Sequence, residues 1–179
     1  MFFLSILTTL VFYGFGLTTP LLCGLYLARP HWRTVLVRLM AVSAGLLLAA
    51  GSILLAQTLA TGIQTSFGAD ELERYAWLNR LSGPYWLAYW AQLLGQGLLP
   101  QVLWRRSLRR RPWVLLLLVP GMLASLAESW FVRYYASNRD YLPSSWGMVS
   151  PNQLTLPAVV VTYLPLLFGA YWVVKRRQQ

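Results

Sequence analysis

Five stretches of this chain, about residues 2–28, 36–61, 83–104, 113–135 and 155–174, are almost continuously apolar. A helix needs on the order of 20 such residues to cross a bilayer, and it must satisfy every backbone N–H and C=O internally once water is gone. Short polar segments join the runs, and only 11% of the 179 residues are charged against 57% apolar. The expected fold is therefore all-α: a polytopic membrane helix bundle of five transmembrane helices, forming one domain over the whole chain. The first run, "FFLSILTTLVFYGFGLTTPLLCGLYLA", has no basic segment ahead of it and is too long for the apolar core of a signal peptide. It is expected to be a retained span.

The basic residues predict the orientation. Arg29, Arg33 and Arg38 lie in one loop, and "RRSLRRR" supplies Arg105, Arg106, Arg109, Arg110 and Arg111 to another. The tail adds Lys175, Arg176 and Arg177, so eleven of the 15 basic residues fall on one side of the expected membrane. Loops rich in arginine and lysine stay cytoplasmic, which puts the N-terminus outside and the C-terminus inside. Four of the five acids, Asp70, Glu71, Glu73 and Asp140, fall on the outer side. A net charge of +10 distributed in this way reflects topology and contact with membrane lipids, and it does not point to nucleic acid.

Several chemistries lack their residues. One cysteine, Cys23, and one histidine, His31, supply neither a disulfide nor a multidentate metal site within the chain. No glycine-rich phosphate loop, HExxH pair or Ser-His-Asp set is present.

Chemistry must instead come from polar residues inside the spans. Tyr85, Tyr89, Gln92 and Gln96 are spaced by four, three and four residues and share one helical face. Such a stripe turns away from lipid, either to bind helices together or to line a polar cavity. Pro100 is expected to bend this helix, with Gln101 satisfying backbone groups freed beside it. Glu128 lies inside the fourth run, where an ionised carboxylate is costly and needs a partner or a purpose. Counted from the span ends, it falls at the level of Tyr89 and Gln92, of Gln57 and Thr58, and of Thr162 and Tyr163, so one polar layer is expected in the outer half of the membrane. Glu128 is then either a proton-handling group or a hydrogen-bonded structural acid. The outer segments 61–83 and 136–153 are polar and aromatic, the first amphipathic from Leu72 to Leu81.

The series "FGADELERYAWLNRLSGPYWLAYW", then "PQVLW" followed by basic residues, then "ESWFVRYYASNRDYLPSSWG" resembles the NrfD/PsrC family. The resemblance is closest to the C-terminal half of the quinone-binding membrane subunits of bacterial alternative complex III, over about residues 36–174. Tyr89 and Gln96 stand at the tyrosine-to-amide spacing of that family, where the amide is usually asparagine. Pro100, Gln101 and Trp104 match its PQxxW motif, and Glu128 and Asp140 keep the family's offset between span acid and loop aspartate. Ser129 stands where the family has arginine, and span 2 lacks the acid usual there.

The resemblance implies a multi-pass subunit of a quinol-oxidising respiratory complex in the bacterial cytoplasmic membrane. Its role there is structural or half of a split quinone site, and it is not an enzyme alone. It implies Glu128 in proton transfer, Tyr89, Gln92 and Gln96 at a quinone or polar cavity, and Arg139, Asp140, Tyr141 and Trp146 in docking a periplasmic iron–sulfur protein. Menaquinol or another quinol is the molecule handled; haem and iron–sulfur clusters belong to partner subunits. A small transporter or proton channel, and a free-standing membrane assembly protein, remain open as alternatives.

Overall fold

The computed structural model describes residues 2–68, 70–83, 86–123 and 156–176. Among the described residues every element is helical. α1 (Phe2–Ala28) and α2 (Arg33–Gly68) form an antiparallel hairpin closed by a 3-10 turn at Pro30–Trp32. Arg29, ahead of the proline, is extended at φ −127° and ψ 85°, because the proline ring excludes the helical conformation from the residue before it. α3 (Glu71–Ser82) follows, and then α4 (Trp86–Gln92), which passes into a π-helical turn (Leu93–Leu98) and a 3-10 stretch (Leu99–Trp104). α5 (Pro112–Met122) and α6 (Leu156–Arg176) complete the described bundle.

Three helices are long and apolar enough to cross a membrane: Leu4–Ala28, Pro30–Gly68 and Val159–Arg176. The third expected span is helical from Trp86 to Trp104 but changes pitch along its length. The fourth is described only in its first part, as the shorter apolar helix Pro112–Met122. α2 continues past its expected end at 61 to Gly68. No proline interrupts it, and the hydroxyls of Thr58, Thr61, Thr65 and Ser66 each donate to the carbonyl four residues back, so they fold onto the helix they belong to. Its 36 residues make a rod of about 54 Å, well beyond the roughly 30 Å of hydrocarbon a bilayer offers.

α3 has Glu71 and Glu73 in its first turn and Arg80 in its last, the arrangement the helix dipole favours. Nearly all of it is exposed, and its Trp77 lies over Gly62 of α2.

α1 packs on α2, α5 and α6. The core comprises Phe12 and Phe15 of α1, Met40, Ala44 and Leu47 of α2, Leu115 and Met122 of α5, and Tyr163 and Leu167 of α6. Gly14 makes room for the Tyr163 ring, which a Cβ at that position would overlap. Within a membrane, lipid is as apolar as the core, so close packing of this kind holds helices together more than exclusion of water does.

Chain direction brings the arginine-rich turns, 29–38 and 105–111, to one end of the bundle. The Cys23 thiol, donating to the Pro112 carbonyl at 3.6 Å, marks where α1 meets α5 there. Arg33 at that end stacks over the Tyr26 ring, and Arg176 lies 3.6 Å above the Trp172 ring. The acidic α3 lies at the opposite end.

Candidate functional site

Two glycines and a proline set the geometry of the third helical segment. Pro100 has no N–H to donate, so the regular ladder cannot continue through it. The chain widens ahead of it into a π turn, in which the Leu99 N–H reaches the Leu94 carbonyl, and then tightens into 3-10 geometry. A π turn inside a helix shifts the face on which later side chains emerge and is frequent at functional positions.

The widened turn is pressed between two neighbours. A Cβ on Gly95 would come within 2.7 Å of the Gly121 carbonyl oxygen of α5. A Cβ on Gly51 of α2 would meet Pro100 at 2.9 Å and the Gln96 carbonyl at 3.1 Å. Three backbones thus meet where glycine leaves room for them, the small-residue packing that membrane helices use.

Gln96 lies at this crossing, only 3% exposed. Its amide nitrogen donates to the Met122 carbonyl of α5 at 3.0 Å, and its oxygen stands 3.5 Å from the amide nitrogen of half-buried Gln92. Of the expected stripe, Gln92 and Gln96 are joined to each other and to Met122. Tyr89 is half-buried and sets its ring edge-on to Trp90, with centroids 6.2 Å apart. Tyr85 and Glu128 lie outside the described residues, as do Arg139, Asp140, Tyr141 and Trp146.

The PQxxW residues form a second, more complete network. The Gln101 amide donates to the Gly97 carbonyl at 3.0 Å, one turn back beside the proline. Its oxygen accepts from the Trp104 indole at 2.9 Å and from the Ser52 hydroxyl of α2 at 3.3 Å. Gln101 thus repairs the ladder that Pro100 interrupts and fixes Trp104 at the end of the segment. Arg109 then donates to the Leu103 carbonyl at 2.6 Å, closing the turn that follows.

The expectation of a single polar layer needs correction. Tyr163 pairs with Ser43 of α2 at 2.8 Å, both groups buried, and does not reach the level of Gln57 and Thr58. Gln96 packs instead against Gly51, which stands about 12 Å further along α2 from Ser43 at 1.5 Å per residue. Tyr163 and Gln96 therefore stand at different levels of α2. Counting inward from span ends failed because helices in one bundle end at different heights, and α2 runs far past its neighbours. No feature of the linear sequence singled out Ser43, a small residue in an apolar helix.

Among the described residues neither glutamine network contains a titratable group, and both glutamines use their amides in packing. Two grooves lie at the basic end, away from Gln96: one bounded by Cys23, Tyr26, Pro112 and Trp113, the other by Leu25, Arg29, Trp32 and Leu36. Among the described residues no group of three His, Cys, Asp or Glu side chains could hold a metal ion. Comparison with protein-family models and with curated proteins finds no match to this chain.

Proposed function

We propose that this chain is a five-span membrane subunit of a quinol-oxidising respiratory assembly, acting in support of the quinone site and not as an independent catalyst. In this reading it lies in the bacterial cytoplasmic membrane with the N-terminus outside and the arginine-rich end in the cytoplasm. The quinol assignment rests on the resemblance of "PYWLAYW", "PQVLW" and "RDYLPSSWG" to the NrfD/PsrC family. The supporting role rests on one observation: among the described residues, Gln96, Gln101 and Trp104, which the resemblance brings forward, direct hydrogen bonds to a neighbouring helix or to their own segment. A quinol site needs groups that accept protons next to the head-group oxygens, and glutamine does not. Glu128 is the remaining acid for that task, and a neighbouring subunit would complete the site.

The length of α2 supports a docking role on the outer face. Its last turns and α3 extend beyond what a bilayer covers, presenting the exposed Phe67, Leu72 and Tyr75 beside Asp70, Glu71 and Glu73. That surface, together with Arg139, Asp140, Tyr141 and Trp146, would receive the periplasmic iron–sulfur protein.

Purification in mild detergent through a C-terminal tag tests the assignment. Stoichiometric recovery of c-type haem and iron–sulfur chains is the expected result. A colourless preparation containing this chain alone sinks the reading and favours a transporter or an assembly protein. In the assembled complex, Glu128→Gln should lower quinol oxidation and alter its pH profile; an unchanged profile leaves Glu128 a structural acid.

A further inference from the structure

The turn between α1 and α2 closes over an open groove of about 340 Å³ lined by Leu25, Arg29, Trp32 and Leu36. Its floor is Leu36, 4% exposed, and its walls are the exposed side chains of Leu25 and Trp32. Arg29 follows Leu25 by one helical turn, its N–H bonded to the Leu25 carbonyl at 2.9 Å. Polar donors therefore stand at the mouth and aliphatic side chains below them. Among the described residues neither the Arg29 guanidinium nor the Trp32 indole N–H has a protein partner. Neighbouring Arg33, by contrast, is held on Tyr26 by its ring and its carbonyl.

The electrostatics select the sign of the occupant. Arg29, Arg33 and Arg38 lie within this turn and the first turns of α2, and the acids among the described residues, Asp70, Glu71 and Glu73, belong to the start of α3 at the other end of α2. Such an uncompensated positive end attracts anionic head groups over zwitterionic ones. A guanidinium offers a planar fork that matches two phosphate oxygens, and an indole N–H suits the ester region just below the phosphate.

We propose that this groove binds one anionic phospholipid, its phosphate held between Arg29 and Trp32 and an acyl chain lying along Leu25 and Leu36. The bound lipid would brace the α1–α2 hairpin at the basic end. This inference does not depend on the respiratory reading.

The test is native mass spectrometry of the full-length protein in a nonionic detergent, titrated with phosphatidylglycerol or phosphatidylcholine. One phosphatidylglycerol should be retained per chain, preferred about tenfold over phosphatidylcholine, and Arg29→Gln with Trp32→Leu should weaken it about tenfold. Arg29→Lys, which keeps the charge and loses the fork, should retain only part of the affinity and also reads the site if the double variant fails to fold. Arg110→Gln with Arg111→Gln removes two charges at the same end and should change binding less than about twofold. Equal affinity for the two lipids, an equal loss in the Arg110/Arg111 variant, or full competition by glycerol 3-phosphate overturns the proposal.

Discussion

Ser43 and Tyr163 form a buried hydroxyl pair at 2.8 Å, 1% and 0% exposed, and the two ends of that bond are not equivalent. Tyr163→Phe removes the phenol and leaves the serine hydroxyl, which sits in mid-helix and can turn to the Leu39 carbonyl four residues back. The loss is then one net hydrogen bond, about 0.5–1 kcal/mol. Ser43→Ala leaves the phenol O–H fixed on a rigid ring among Gly14 and apolar side chains, with no such escape. An unsatisfied buried donor costs roughly 1–3 kcal/mol. The double variant places a phenyl ring beside a methyl group and removes both polar atoms, so its cost should stay near that of Tyr163→Phe alone. The singles therefore sum to more than the double by the cost of the orphaned phenol, roughly 1–3 kcal/mol, against an average of roughly 0.6 and a maximum of roughly 1.7 for hydrogen bonds between membrane helices. SDS titration of mixed micelles, followed by far-UV circular dichroism, gives the four stabilities. Ser43→Ala costing less than Tyr163→Phe, or strict additivity, would refute the asymmetry between the two ends of the bond.

Glycine substitutions should separate by location. Gly95→Ala forces a Cβ onto the Gly121 carbonyl and should cost roughly 1–3 kcal/mol in the same titration. Gly45→Ala meets nothing within 4 Å and should be neutral or stabilising by up to about 1 kcal/mol through helix propensity. Gln101→Leu strips the Gly97 carbonyl, the Trp104 indole and the Ser52 hydroxyl of one partner each, and should cost about 2–3 kcal/mol. Trp104→Phe, which loses only the indole bond at a largely exposed position, should stay within about 1 kcal/mol of wild type; a loss as large as that of Gln101→Leu would contradict the ladder-repair role of Gln101.

Much of the architecture was legible in the residues because it depends on local properties. A run of apolar residues longer than a bilayer is thick announces a spanning helix whatever it packs against, and α1, α2 and α6 follow from that. Arginine placement predicted one basic side, and of those residues the ones in the turns at 29–38 and 105–111 meet at one end. Pro100 announced an interruption, and the spacing of Gln101 behind it was enough to anticipate a repair. The polar stripe was half legible. Gln92 and Gln96 do communicate, but a period of 3.6 residues carries no warning of a π turn beginning at Leu93, and Tyr89 turns to Trp90.

Residue order was enough to specify a helical, membrane-suited chain with an arginine-rich turn at each of 29–38 and 105–111, an interruption at Pro100 and a short list of polar residues that must be accounted for. Where those residues go was settled by the packing of the helices. The pairing of Ser43 with Tyr163, the meeting of Gly51, Gly95 and Gly121 around Gln96, and the assembly of Leu25, Arg29, Trp32 and Leu36 into one groove all depend on the height and rotation of one helix relative to another. The physical reason is that hydropathy and periodicity are sums over neighbours in sequence. The distance between residues 43 and 163 is set by close packing of whole helices, where a shift of one turn exchanges every partner.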